Sequence, residues 1–462
     1  MQNVDHDVIL CVMTAMKVLV VATVLAQGAY ATECANRCSL NGVCDTQNGV
    51  CACDEGWTGV DCGLLDLLPA PTDCSFHGLS ECGATAKGDS KVTSSWGGSV
   101  LRLPSGKGDG KTTFAMFAAE MTHHCTLAHW TTNSEVVLAT ADDATGPFTE
   151  HFQIIQPWSH NPEAIHTADG QVAVFTLGNG QAGWGPEYDC DATPPPPKPT
   201  PYPRRPQVFT GNGVSNRTFL IHHAPVESYT KQAAWQAYNA TMMDLPDVFH
   251  FQGNWNPAPV ALPDGRIRIM MHTGYSGFFK TSNDSVGGWA GETIVEGATW
   301  RGPFKVISAK DITNCTHCEE DPFMWVDTRQ NWHVLYHRMF DNGTDCNGFP
   351  DWRPDGTTPA KPCKSPEGMW SMGHSYSDDG LTWSPITRAA NTTAILVDGT
   401  SVTFQSRERP KLILDEDGRP GWLSNAVQPF QSGAGADGGV THTLVVPLNT
   451  GKNRARAAVR RA

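Results

Sequence analysis

The chain has 462 residues, a formal net charge of −14, 40% hydrophobic residues and 17% charged residues. That balance excludes a disordered or fibrous protein. The acidic surface excludes a nucleic-acid partner, because no internal basic patch offsets it. With 45 glycines, 32 prolines and 15 tryptophans, the composition predicts many turns between short strands, with aromatics filling sheet cores or lining a carbohydrate site. Residues 1–31 read as a signal peptide: Val8 to Leu25 is apolar apart from small residues and Lys17, and Ala29-Tyr30-Ala31 gives the small-x-small pattern before cleavage. Val18 to Leu25 behind Met16-Lys17 would suffice alone, which makes Met13 and Met16 candidate starts. The rival is an uncleaved anchor, the one case that predicts membrane attachment; Lys17 leaves the apolar run short of the roughly 20 residues a span needs. A secreted, extracellular protein is expected. Removing Cys11 leaves an even number of the 15 cysteines, and sequons stand at Asn216, Asn239, Asn283, Asn314, Asn342 and Asn391.

Residues 32–63 carry Cys34, Cys38, Cys44, Cys51, Cys53 and Cys62 in the spacing C-x3-C-x5-C-x6-C-x-C-x8-C, with Gly56-Trp57 and Gly59 between the last two. Spacing alone leaves every pairing open. The pattern resembles the EGF-like family. The resemblance implies the bridges Cys34–Cys44, Cys38–Cys51 and Cys53–Cys62, on which so small a module depends for stability. The Ala31-Thr32-Glu33 stretch lacks the acidic cluster of calcium-binding members, so no calcium is expected there. Such a module is most often a spacer or adhesion element. Residues 64–90 read as a connector, with Cys74 and Cys82 placed for a local bridge.

Residues 91–450 are predicted to be mainly β. A recurring unit opens with a polar residue and proline and continues through a hairpin turn into an apolar strand. Its copies begin at Asn161-Pro162, Asn256-Pro257, Asp321-Pro322 and Arg409-Pro410, with Asp-Gly turns at 169–170, 264–265 and 417–418. Gly146-Pro147-Phe148 and Gly302-Pro303-Phe304 close units, and Tyr376 to Trp383 approaches an Asp-box turn through Asp378, Gly380, Thr382 and Trp383, with Tyr376 in place of the leading Ser. With the Ser95 to Phe148 unit, this makes about five units at intervals of roughly 65 to 95 residues, longer than common blades. A β-sandwich also has many short strands, but the repeated openings favour a five-bladed β-propeller. Thr193 to Arg205 is predicted to be an exposed polyproline-like insertion.

These motifs together resemble the five-bladed propeller glycoside hydrolases of the family 43 type. The resemblance implies carboxylates from different inner strands around a central funnel, one protonating the leaving oxygen and one activating water about 6.5–9.5 Å away. Asp321 and Glu408 are the predicted catalytic pair. His160, Asn161, Trp255, Asn256, Glu320, Arg407 and Arg409 are predicted to bind substrate, with one arginine pairing a carboxylate. Glu163, one step past Pro162, is expected to turn away by strand alternation. The resemblance is incomplete: the first blade opens with Trp96-Gly97-Gly98 where an Asp is expected, and Asn161 and Asn256 cannot act as bases. A non-catalytic glycan-binding or adhesion protein is therefore the alternative. Trp96, Trp158 and Trp255 could stack on sugars or pack in blade cores. His123, His124, His160, His272 and His337 show no zinc-type spacing, so no metal or other cofactor is expected. Cys315 and Cys318, with Cys346 and Cys363 as partners, read as disulfides. Residues 451–462 read as a basic, solvated tail.

Overall fold

The computed structural model describes residues 33–71, 93–105, 110–148, 150–178, 187–192, 218–243, 255–273, 291–308, 319–338, 340–341, 344–345, 370–428 and 440–461. The signal segment, the Cys74–Cys82 pair, the polyproline insertion, Cys315, Cys318, Cys346, Cys363 and four sequons (Asn216, Asn283, Asn314 and Asn342) lie outside the described residues. No described helix is long and apolar enough to cross a membrane.

Apolar, β-branched runs between hairpin turns build five antiparallel blades, the second and third continuous through a short parallel pairing of Gln236–Met243 with Phe304–Val306. Blade one comprises Ser95–Pro104, Thr112–Met121, Ser134–Ala141 and Glu150–Ile155. Blade two comprises Ser159–His166, Gln171–Gly178, Thr218–Pro225 and Gln236–Met243. Blade three comprises Trp255–Ala261, Ile267–Thr273, Gly291–Gly297 and Phe304–Val306. Blade four comprises Glu319–Val326, Trp332–Arg338, Trp370–Ser377 and Thr387–Asn391. Blade five has Ser406–Leu414, Pro420–Gln428 and His442–Pro447. The first strand of each blade is innermost, and these five strands touch in a closed ring. Five apolar clusters fill the clefts between successive blades. They centre on Phe117 and Val174, Phe175 and Ile269, Met270 and Val334, Trp325 and Leu412, and Met116 and Val445. Trp96 and Trp158, candidate sugar platforms, are buried in this packing at 1% and 3% exposure.

The EGF-like pairing is as expected: Cys34–Cys44, Cys38–Cys51 and Cys53–Cys62. The module is no detached spacer. Trp57 is buried, stacks on Trp325 at 6.3 Å and lies 5.0 Å from His374. Arg37 makes two bonds to Asp378, and the Tyr376 hydroxyl donates to the Asn36 carbonyl at 2.8 Å. Asp379, rather than Asp378, organises the Asp-box-like turn, accepting from the Leu381 and Thr382 amides at 2.7 Å; Asp378 is left for Arg37. Gly56, at φ 84°, lets the backbone approach Leu448, whose side chain would lie 3.3 Å from an added Cβ.

The connector completes blade five. Leu67 bridges Leu448, Leu68 N–H donates to the Pro447 carbonyl, and Ala70 bridges Leu396. The basic tail is exposed to solvent, as expected, but it is ordered as a helix, Gly451–Arg461, because its charges are answered. Thr450 caps the Asn453 amide at 3.2 Å, Lys452 meets Asp415, Glu416 and Asp417, and Arg456 lies over Trp422.

A buried imidazole ladder links the module to blade four. His333 Nδ1 lies 3.1 Å from His374 Nε2, whose other neighbour is Asn41 Nδ2 at 3.5 Å, and His333 Nε2 approaches Asp327 at 3.5 Å. Burial pushes both pKa values down, Asp327 opposing this at His333. Burial also lowers His222, His337 and His442 to about 4. The unfolded chain therefore binds more protons than the folded one below pH 6.5, and stability falls as the pH drops from 6.5 towards 4. Two carboxyls raised by burial, Glu135 and Glu163, act in the opposite direction but are outnumbered. Chemical denaturation at pH 7 and pH 5 should show lower stability at pH 5, and His374→Gln should flatten the difference. Trp57→Ala should cost about 3–5 kcal/mol and lower the melting temperature of the propeller itself in calorimetry. An unchanged propeller transition would mean that the module folds apart.

Candidate active site

The site begins with one backbone feature repeated five times. Each inner strand carries a bulge at which two of its residues oppose one on the neighbouring strand, between Trp96 and Ser99, His160 and Glu163, Trp255 and Ala258, Glu320 and Phe323, and Glu408 and Lys411. The first bulge residue is left-handed in every blade: Gly97 at φ 63°, Asn161 at 52°, Asn256 at 51°, Asp321 at 58° and Arg409 at 54°. Asn and Asp tolerate this region; Arg does so only when its surroundings enforce it, at about 1–3 kcal/mol. Here they do. The aliphatic part of Arg409 lies against Gly97, where an added Cβ would stand 3.2 Å away.

These residues form a hydrogen-bonded chain around the axis. Asn161 Nδ2 donates to Asn256 Oδ1 at 2.6 Å, and Asn256 Nδ2 donates to Asp321 Oδ1 at 2.7 Å and Glu320 Oε1 at 3.1 Å. Asp321 is ion-paired with Arg409. Asn161, Asn256, Asp321, Arg409 and Lys411 line a cavity of about 10 Å³, room for about one water. Asn161 Oδ1 and Arg409 Nε are buried there with no hydrogen-bond partner among the described residues.

The predicted carboxylates converge. His337 Nδ1 lies 3.8 Å from Asp321 Oδ2 and 3.7 Å from Glu408 Oε2. Burial holds His337 at about 4, Glu320 opposing and Arg409 reinforcing the shift, so the imidazole is neutral at pH 7. Glu408 also accepts from Ser406 Oγ at 2.6 Å and keeps 10% of its side chain exposed, whereas Asp321 keeps 2%. His160 accompanies the ring from blade two, its Nδ1 2.7 Å from Ser134 Oγ; burial first, then the Arg409 charge, pushes its pKa well down. Trp255 lies beside Asn256 in the strand. Glu320, Asp321 and His337 present ligand-type atoms within 4.8 Å of one another, and Arg409 already supplies a cation to that group.

Two expectations fail. Arg407 does not reach the axis: it is fully buried beside Asn425 and the carbonyls of Asn391 and Thr393, with no carboxylate partner among the described residues, and burial lowers its pKa to about 10. Glu163 does not turn away. The bulge breaks the simple count, and Glu163 meets Lys411 of blade five and accepts from Ser99 Oγ of blade one at 3.0 Å. Lys411 also donates to the Pro162 carbonyl at 3.1 Å. Sequence reasoning missed this pair and the Cys125–Cys190 bridge. The repeated X-Pro opening was the available signal for Lys411, which stands two residues after Arg409 as Glu163 stands two after Asn161.

An EGF-like domain model matches residues 34–62. No characterised protein sequence matches the chain. Similar solved structures include the catalytic domain of the Coprinopsis cinerea GH62 α-L-arabinofuranosidase, at 11% identity and TM-score 0.47 over 84% of this chain and 98% of that one. The α-L-arabinofuranosidase PaAbf62A from Podospora anserina, solved in complex with cellotriose, matches at 9% and 0.43 over 82% and 98%. An α-L-arabinofuranosidase from Lactobacillus brevis matches at 10% and 0.43 over 79% and 94%. These are distant likenesses; the blade count rests on the sheet topology above.

Lys411→Met should cost about 3–5 kcal/mol, because it leaves the buried Glu163 carboxylate unpaired. The double variant Lys411→Met/Glu163→Leu should recover most of that loss in denaturant titrations.

Proposed function

We propose that the protein acts on glycans at the axial end of the propeller as a secreted glycoside hydrolase, with Asp321 and Glu408 as its paired carboxylates. The observation that carries this reading is their convergence on one nitrogen of a neutral His337, beside a polar cavity with an unsatisfied acceptor and an unsatisfied donor. Asn161 Oδ1 and Arg409 Nε match the two hydrogen-bonding faces of a sugar hydroxyl, which could replace a water there at little cost. Glu408, the more exposed carboxyl, suits proton delivery to the leaving oxygen. Asp321, held by Arg409 and Asn256, is fixed in place to orient water or to stabilise positive charge developing on the sugar. Asn256, Asn161, Glu320 and His160 would position the ring.

A second reading has its own observation. The Arg409–Asp321 pair neutralises the one carboxylate of the left-handed ring, and an arginine-paired aspartate is a weak base. Binding without turnover would need only the hydrogen-bonding groups.

Hydrolysis of arabinoside, xyloside and galactoside oligosaccharides by the full mature chain separates the readings. The proposal expects turnover that falls at least about a hundredfold in Glu408→Gln and Asp321→Asn, with binding of the same oligosaccharides retained. Binding by a folded wild type without turnover on any of them would replace the hydrolase reading with the second one.

A further inference from the structure

A separate group of ligand-type side chains stands on the same face, at the rim of blades one and two. Both flanking strands, Thr112–Met121 and Gln171–Gly178, end beside the bulges at Gly97 and Asn161, so their loops leave on the axial side. The first leads directly to His123 and His124, at φ 55° and 50°. Segment 187–192 runs alongside, clipped by the Cys125–Cys190 disulfide. Asn133 holds it too: its Nδ2 donates to the Tyr188 carbonyl at 2.8 Å, and its Oδ1 accepts from the Tyr188 amide at 3.1 Å.

Glu187, Asp189 and Asp191 alternate along that segment and face the two histidines. His123 Nε2 lies 3.3 Å from Glu187 Oε2, and His124 Nδ1 lies 2.9 and 3.0 Å from the two Asp191 oxygens. Ligand atoms of His123, Asp189 and Asp191 all fall within 4.8 Å of one another. The carboxyl groups of Glu187, Asp189 and Asp191 converge there, and no lysine or arginine pairs with any of them among the described residues. Crowding of like charge reaches further: burial raises the neighbouring Glu135 to about 7, and Glu120 and Glu187 add to the rise.

We propose that a zinc-type divalent cation binds between His123, Asp189 and Asp191, with His124, already on Asp191, as the next imidazole to join them. An imidazole nitrogen with carboxylate oxygens, and a second imidazole 2.9 Å from Asp191, form a donor set that suits zinc and its neighbours, whereas magnesium and calcium prefer oxygen alone. The cation would replace the present imidazole–carboxylate contacts and offset the acidic charge. It would also tie the blade-one turn to the blade-two segment at a second point beside the disulfide. This site is independent of the glycan reading. It also differs from the axial group of Glu320, Asp321 and His337, where Arg409 is the cation.

The test is calorimetric titration of the EDTA-treated, disulfide-intact full chain with zinc chloride, with magnesium and calcium chloride as comparators. The proposal expects one equivalent of zinc with Kd below about 10 µM, and no saturable magnesium or calcium binding at that strength. The double variant His123→Ala/His124→Ala and, separately, Asp191→Asn should each weaken zinc at least tenfold. Both carry exposed positions, and their metal-free melting temperatures should match the wild type. Absence of zinc binding, or unchanged affinity in both variants, would overturn the proposal; the latter would place the cation elsewhere.

Discussion

The molecule depends on a left-handed step at the start of each inner strand. A regular strand would present alternate residues to the axis and nothing more. The added residue turns Asn161, Asn256, Asp321 and Arg409 into a continuous polar chain and leaves Gly97 as the gap against which Arg409 lies. The same bulges set the level below, where Lys411 reaches across blade one to Glu163 because Ser99 is small. Two inter-blade ion pairs thus close a channel that apolar side chains fill in most packed cores. Each of these four buried charges faces one of opposite sign, which is the condition for tolerating it.

A ring of blades also has a seam. Here both ends of the described chain meet at blade five, where the connector after the EGF-like module lies against Pro447 and Leu448 and the C-terminal helix folds back over Trp422. Fixing distant segments together removes freedom that an open ring would keep. The module gains as well. Its own core is little more than three cystines, and Trp57 supplements it by entering the cleft between blades four and five. The stack of Trp57, Trp325, His333 and His374 is therefore shared by two parts that sequence alone treats as separate domains.

What the sequence made legible was local and covalent. Cysteine spacing carried the EGF-like module, Asp-Gly turns carried hairpins, and X-Pro openings marked every inner strand but the first, where Gly97-Gly98 stands in their place. What it hid was direction. Arg407 and Arg409 are two residues apart, yet one points into the cleft beside Asn425 and the other to the axis. Glu163 was misplaced because alternation was counted through a bulge that only the register reveals. Cys125 and Cys190 are 65 residues apart, and nothing local pairs them. The helical order of the tail is hidden from the sequence because its answering charges, Asp415 to Asp417 and Glu55, lie far off in the chain.

The central claim is that the axial ring is where a glycan binds. The most direct check is a crystal structure of the protein soaked with an arabinose- or xylose-containing oligosaccharide. The account predicts a sugar ring on the axis, with hydroxyls bonded to Asn161 Oδ1 and Arg409 Nε and the glycosidic oxygen beside Glu408. Sugar bound only on the outer blades or on the EGF-like module, with the axis holding nothing but the Arg409–Asp321 pair and water, would contradict it.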